Sequence, residues 1–195
     1  MSFENYFRGS EENQEDRNFI NRLRVNFSLF DVDPEIPIIE KEESEGLAAK
    51  ACFHFDEIEK DGVVEITNES YDIFLNNNKK IDPRYKEELL TKLPFHEIRH
   101  RIQRENQYER LKNREDLELF TPEIIDATKD GRIKDLIKEY VKSLPEEVKS
   151  DPWEFDAKLA EEIIYRLMEN NLIGAKEIKT IIGGNASSLI KLLEK

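Results

Sequence analysis

Cysteine is almost absent from this chain. Cys52 is the single cysteine among 195 residues, so an internal disulfide framework cannot form and a disulfide-stapled secreted scaffold is excluded. Such sparing use of cysteine is typical of proteins in a reducing compartment. We therefore expect a cytoplasmic protein whose stability comes from a packed core rather than from covalent cross-links.

Long apolar runs and an excess of positive charge are also missing. No segment approaches the roughly 20 apolar residues of a membrane span, and residues 1–5 lack the basic and then apolar pattern of a secretory signal. The chain has 30 Lys and Arg against 43 Asp and Glu, which gives a formal net charge of −13. Nucleic-acid binding draws largely on clustered Lys and Arg. The sequence therefore predicts neither a membrane partner nor a nucleic-acid partner.

Histidine is scarce too, but its placement is informative. Of the three histidines in the chain, His96 and His100 are four positions apart, and Glu97 directly follows the first. On a helix the two imidazoles lie one turn apart on the same face, so both can reach a single ion. Glu97 is offset around the helix axis, where it can reach a water on that ion and act as a base. This H-E-x-x-H spacing predicts a catalytic site with Zn²⁺ as its cofactor.

The alternative is a surface helix that carries two solvated histidines and an acid. Phe95, Ile98 and Ile102 place an apolar edge beside the histidines, which favours a packed helix over a solvated one. Pro94 removes one backbone donor just before the motif, so we expect either a kink or a new helix that starts nearby. In both cases residues 95–105 are expected to be helical.

The segment before the motif predicts one helix and a small sheet. Apolar residues recur at helical spacing at Phe19, Ile20, Leu23 and Phe27. The alternation in residues 51–55, an Asp-Gly turn and the return run 63–67 predict a β-hairpin. Residues 38–39 and residues 71–75 are expected to add short strands. The predicted fold class is α+β, with a small, mainly antiparallel sheet packed on the active-site helix.

Several helices are predicted after the motif. They cover residues 122–127 and 133–144, a segment that begins at Asp151, and residues 175–182 and 186–193, with a loop at 113–116 and a glycine stop at 183–185. Three regions follow from this pattern. We expect an N-terminal arm in residues 1–20, a catalytic domain in residues 21–170 and a C-terminal helical tail in residues 171–195.

A catalytic zinc needs a third protein ligand. His54 is one option, because it lies on the first strand of the hairpin and faces either solvent or the cleft. Glu154 is the better option, because the small Ala157 follows one turn later and lets its helix approach a metal closely. Asp151 and Glu154 also have the form of a capping box, which would explain both acids without a metal. The remaining options, in falling order, are Glu161 and then Glu105, Glu109, Glu115 and Glu118.

The run LPFHEIRHRIQ in residues 93–103, together with DPWEFDAKLAEE in residues 151–162, resembles the gluzincin zinc metallopeptidases, and most closely the compact minigluzincins. The resemblance covers residues 48–167. It implies that Glu154, on a separate glutamate helix, is the third zinc ligand beside His96 and His100. The chain departs from the family at Lys158, where many gluzincins carry an acid. The partners that orient the two histidines are therefore unassigned, although Asp156 is near in sequence.

This resemblance implies a zinc-dependent metallopeptidase, in which a zinc-bound water attacks a peptide bond and Glu97 is the general base. We expect a peptide or protein substrate to lie along an exposed strand, for which residues 63–67 are the candidate. The group that stabilises the oxyanion stays open between four residues: His54, Tyr108, Tyr165 and Arg166.

The C-terminal tail bears on whether such a site is active. Minigluzincins include latent forms in which a chain segment covers the cleft, and residues 175–195 either do this, mediate a homodimer or pack as ordinary helix. The alternative function is a non-enzymatic interaction protein with a structural or vestigial zinc site. A metallohydrolase that acts on something other than peptides is a further option.

Overall fold

The computed structural model describes residues 4–31, 33, 35–42, 49–61, 63–76, 82–109, 119–182, 189–190 and 193. The elements in this part of the chain are, in order, α1 (Glu4–Phe30), β1 (Ile38–Glu42), β2 (Ala49–Lys60), β3 (Val63–Leu75), α2 (Pro83–Glu109), α3 (Glu123–Ala127), α4 (Gly131–Ser143), α5 (Glu146–Ser150), α6 (Pro152–Glu169) and α7 (Ala175–Ile182). The predicted α+β class is confirmed. The predicted loop at 113–116, the glycine stop at 183–185 and most of the last predicted helix lie outside the described residues.

Among the described residues, the sheet has three strands in the order β1-β3-β2. β2 pairs antiparallel with β3, while β1 pairs parallel with it, so the sheet is mixed. The prediction that residues 71–75 form a separate strand from residues 63–67 was wrong, since both belong to β3. A bulge explains the change of pattern between them. The register shifts between His54 and Asp56, and Asn68 on β3 takes a positive φ of 53°, which absorbs the extra residue without ending the strand.

The motif helix α2 runs without a break through Pro94, so no new helix starts before the motif. A proline at this position cannot donate to the carbonyl four residues earlier, which is that of Leu90. Nδ2 of Asn26, on α1, donates to this carbonyl oxygen at 2.7 Å. The neighbouring helix thus supplies the donor that proline removes.

Helices α2 and α6 pack antiparallel, as three contacts along them show. Gln103, near the end of α2, donates to Asp156 near the start of α6. His100 contacts Glu154, and Lys92, towards the start of α2, pairs with Glu162 further along α6. Moving forward along α6 therefore means moving backward along α2. This arrangement decides which acids of α6 can reach the motif histidines.

The core forms where α2 contacts α1, α6, α7 and the sheet. The four residues predicted on one face of α1 are all buried, as are Phe95, Ile98 and Ile102 beside the motif. A packed helix is therefore observed, and the solvated alternative was wrong. α1 continues through residue 20, and the three-region division stays a prediction. Within the described residues, none of the helices is both long and apolar enough to cross a membrane.

Candidate metal centre

Two helices bring the predicted ligands together. α2 carries His96 and His100 one turn apart, and α6 begins at Pro152, so that Glu154 lies in its first turn. Asp151 caps α6, because its Oδ1 accepts from the backbone N–H of Trp153 at 2.9 Å and of Glu154 at 3.2 Å. The reciprocal half of a capping box is absent here, since the N–H of Asp151 donates to the carbonyl of Val148. The Glu154 carboxylate is turned towards the histidines instead.

The three side chains converge on one small space. Nε2 of His96 lies 3.0 Å from Nε2 of His100. The Glu154 oxygens lie 3.5 Å from the first nitrogen and 3.2 Å from the second. Tetrahedral zinc with ligands at about 2.0–2.1 Å separates neighbouring donor atoms by about 3.3 Å. The observed spacing fits that value, and two imidazoles with one carboxylate are a donor set suited to zinc rather than to Mg²⁺ or Ca²⁺. His96, His100 and Glu154 therefore form a group, the metal group, that can hold a metal ion.

The electrostatics of the group match this arrangement. Burial lowers the pKa of His96, but the adjacent carboxylates of Glu154 and Glu161 outweigh it and raise the value from 6.5 to about 9. The adjacent imidazoles of His100 and His96 hold the pKa of Glu154 far below its usual range. The Glu154 carboxylate is thus an anion over the whole neutral range, which favours a cation at this point.

His100 is oriented by the side-chain amide of Gln103, which is itself held in place by hydrogen bonds. Nδ1 of His100 lies 2.8 Å from Oε1 of Gln103. The Nε2 amide group of Gln103 donates to the carbonyl of Trp153 at 2.8 Å and to Asp156 at 2.5 Å. Because the amide nitrogen is occupied on that side, Oε1 must face the imidazole. Nδ1 of His100 then carries the proton, and the Nε2 lone pair points to the metal group.

Behind this amide lies a fully buried ion pair. Arg99 donates to the two oxygens of Asp156 at 2.8 and 3.0 Å, and both side chains have no exposed surface. The backbone N–H of Phe120 also donates to Asp156, and Arg99 donates to the carbonyl of Ile182 at the end of α7. Asp156 is therefore the acid that supports His100, through Gln103. Sequence reasoning missed Arg99 and Gln103, and their positions inside the motif helix were the available signal.

His96 has a different neighbour on its second nitrogen. Nδ1 of His96 lies 3.1 Å from Oε2 of Glu161. The distance is that of a hydrogen bond but the angle is not, so this buried nitrogen has no hydrogen-bond partner within the described residues. Glu161, the reserve candidate for third ligand, thus lies behind the ring rather than among the converging donor atoms.

Glu97 lies beside the group on its sheet side. Its Oε2 accepts from the backbone N–H of Phe53, on β2, at 2.7 Å, and the residue is only 5% exposed. Burial raises the pKa of Glu97 above its usual value, against the opposing effect of His96 and His100. A carboxylate in this setting accepts protons more readily than a solvated one, as a general base requires.

The other predicted residues lie away from the converging donors. His54 is exposed and faces the side of β2 opposite to the buried Phe53.

Glu105 pairs with Arg101, and Arg166 pairs with Glu162 and Glu169. Tyr165, eleven positions beyond Glu154, lies roughly three turns further along α6. The side chains of Tyr108, Glu109, Glu115 and Glu118 lie outside the described residues.

In comparisons with known proteins, no family model, no curated protein and no solved structure matches this chain. The resemblance to gluzincins therefore rests on residues 93–103 and 151–162 and on the geometry of the metal group alone.

Proposed function

We propose that this protein is a zinc-dependent metallopeptidase in which His96, His100 and Glu154 hold Zn²⁺ and Glu97 is the general base. The observation that carries the proposal is the convergence of two imidazole nitrogens and one carboxylate at separations suited to zinc. The choice of a peptide bond as substrate is supported by the gluzincin-like sequences of α2 and α6.

The donor set leaves room for chemistry as well as binding. Zinc held here by three protein ligands would supply a water that ionises near neutral pH and a Lewis acid that polarises a substrate carbonyl. The side chains of His100 and Glu154 are 25% and 31% exposed, whereas that of His96 is 9% exposed. Substrate would therefore approach from the side of His100 and Glu154.

Glu97 has the position and the proton affinity of a base. The Phe53 N–H holds one oxygen of its carboxylate in place, which leaves the second oxygen to take a proton from the attacking water. Its raised pKa lets it keep that proton until the amine leaves, when it passes the proton on.

The strand next to this base is the natural track for an extended peptide. β2 is an edge strand of the sheet, and Phe53 brings it against Glu97. Main-chain hydrogen bonds along such an edge align a substrate without depending on its sequence. We favour the edge of β2 over residues 63–67 of β3, because β2 contacts the general base.

A combined metal and cleavage assay tests the proposal. Zinc content after dialysis and cleavage of a fluorogenic peptide library are measured for the wild type, Glu97→Gln and a control, Glu162→Gln. Glu162 is a matched control, since it is fully buried on α6 and pairs with Lys92 and Arg166 rather than with either histidine. We expect one zinc in each protein. Cleavage should fall by about 10²–10⁴ in Glu97→Gln alone, which is the usual contribution of a general base.

Other results would support other functions. Zinc binding without cleavage of any peptide indicates the interaction protein with a structural or vestigial site. Zinc-dependent hydrolysis of esters or other amides, without peptide cleavage, indicates a different metallohydrolase. A wild type that binds no zinc contradicts the proposal as a whole.

A further inference from the structure

We propose that Glu161, held by Tyr140, is the positioning residue for His96. This inference rests on the proposed function in one respect, namely that His96 is a metal ligand. Oε2 of Glu161 lies 3.1 Å from Nδ1 of His96, on the side of the ring opposite to the nitrogen that faces His100 and Glu154. One ring nitrogen, Nδ1, is thus assigned to the acid, and the other, Nε2, to the metal group.

Glu161 is itself fixed in place. Its Oε1 accepts from the hydroxyl of Tyr140, on α4, at 2.8 Å, and the ammonium group of Lys158 lies 3.3 and 3.4 Å from the two oxygens. The Glu161 side chain is only 6% exposed. With one oxygen held by Tyr140, the second oxygen stays beside Nδ1 of the imidazole. A third helix therefore contributes to the site.

This contact decides which nitrogen of His96 is available. A carboxylate beside Nδ1 favours the proton on that nitrogen, so that the Nε2 lone pair faces the metal group. It also makes the imidazole a stronger donor. His96 has a charged partner in this role, whereas His100 has the neutral amide of Gln103.

The position of Glu161 follows from the antiparallel packing of α2 and α6. Glu161 is seven positions after Glu154, which is about two turns along the same face of α6. Because α6 runs antiparallel to α2, a residue two turns after Glu154 lies closer to the start of α2. Glu161 therefore lies beside Nδ1 of His96 rather than beside His100. Lys158, one turn after Glu154, occupies the place where an orienting acid is found in many gluzincins. In this protein Lys158 pairs with Glu161, one turn further along α6.

The test compares metal binding in Glu161→Ala, Glu161→Gln, Tyr140→Phe and the control Glu162→Gln. Zinc affinity is measured by competition with a chromophoric chelator, and the Co²⁺-loaded proteins are compared by absorption spectroscopy. We expect zinc affinity to fall 10–100-fold in Glu161→Ala, as is typical when a residue that orients a ligand is removed. Glu161→Gln should lose less, because an amide oxygen beside Nδ1 can accept its proton in a hydrogen bond, and Tyr140→Phe should show a smaller loss of the same kind.

The controls separate positioning from folding. Glu162→Gln removes an equally buried charge from the same helix and should leave zinc affinity and the Co²⁺ spectrum unchanged. Glu161→Gln is nearly isosteric, so it tests the inference even where the alanine variant fails to fold. A change in the Co²⁺ bands with Glu161 but not with Glu162 supports positioning, since loss of general stability does not alter the ligand field.

Three results would overturn the inference. Zinc binding that is equal in the wild type and both Glu161 variants removes the positioning role while leaving the proposed function intact. Zinc affinity that falls by much more than 100-fold in both Glu161 variants, with fewer ligands in the spectrum of the Co²⁺ complex, makes Glu161 a ligand instead. A wild type that binds neither Zn²⁺ nor Co²⁺ overturns both proposals.

Discussion

The two histidines present the same nitrogen to the same space, while the other nitrogen of each ring lies beside a second side chain. Nδ1 of His100 faces Gln103, and Nδ1 of His96 faces Glu161. Spacing along α2 alone brings the rings together but does not select a nitrogen. The neighbours of the rings make that selection, and Glu154 supplies the negative charge opposite them.

Removal of the negative charge of Glu154 should weaken metal binding. We expect Glu154→Gln to raise the zinc dissociation constant by more than about a hundredfold, beyond the 10–100-fold effect of residues that only orient ligands. Titration against a competing chelator measures this. Glu169→Gln is the control, because Glu169 lies on the same helix but is exposed and pairs with Arg166. Equal affinities for the two variants would contradict the ligand role of Glu154.

The protonation of His96 predicts how the stability of the metal-free protein depends on pH. Its pKa is raised from 6.5 to about 9 on folding, which corresponds to about 3 kcal/mol. Because the folded value is the higher one, this stabilisation is fully present below pH 6.5 and is lost as pH rises through 9. Urea unfolding of the chelator-treated wild type and of His96→Gln, at pH 6 and pH 9.5, measures it. The stability difference between the two should shrink with rising pH, and a constant difference would refute the assignment.

At the level of helices, the contact between Asn26 and α2 compensates for Pro94. The Leu90 carbonyl receives a side-chain donor at 2.7 Å in place of a backbone one. We expect Asn26→Ala to lower the free energy of unfolding by about 1–3 kcal/mol, the cost of an unsatisfied partly buried carbonyl. Chemical denaturation measures this loss.

A double-mutant cycle makes that prediction specific. In a Pro94→Ala background, the backbone N–H of residue 94 can donate to the Leu90 carbonyl, so Asn26→Ala should cost less than in the wild type. Arg22→Ala serves as the comparison, because its pair with Glu87 is exposed and is expected to be worth less than about 1 kcal/mol. Identical costs of Asn26→Ala in both backgrounds would show that this contact does not replace the missing donor.

The elements were largely predictable from local pattern, whereas the support of the site was not. Helical spacing identified α1, α2 and α6, and the Asp-Gly turn identified the hairpin. The bulge at Asn68 made one strand look like two, because it reverses the alternation of faces. The spacing of His96 and His100 and the small Ala157 beside Glu154 pointed to the metal group. Glu161 and Gln103 could not be assigned, because their roles depend on the direction in which α6 crosses α2.

Across the whole molecule, hydrogen bonds connect the residues behind the metal group with helix α7. Arg99 connects Asp156 with the carbonyl of Ile182, and Ile178, Ile181 and Ile182 of α7 are buried. Each fully buried isoleucine contributes about 1.5–3 kcal/mol, while the net stability of a domain is only roughly 5–15 kcal/mol. Loss of all three therefore removes an amount comparable to that net stability. These three isoleucines therefore belong to the core.

Deletion of residues 175–195 should consequently unfold the protein. We expect loss of the cooperative thermal transition and loss of zinc binding in the truncated chain, as measured by calorimetry and metal analysis. This expectation opposes simple activation of a latent enzyme by removal of the tail. A truncated protein that stays folded and cleaves peptides faster than the full chain would instead favour a tail that covers the cleft.

The position of the metal ion itself gives the most direct evidence on the proposed centre. Crystals of the zinc-loaded protein should show one strong anomalous peak at the zinc absorption edge, about 2.0–2.2 Å from Nε2 of His96, Nε2 of His100 and a carboxylate oxygen of Glu154. A crystal grown with equimolar zinc that shows no such peak, or shows its main peak at other residues, would contradict the metal centre proposed for this protein.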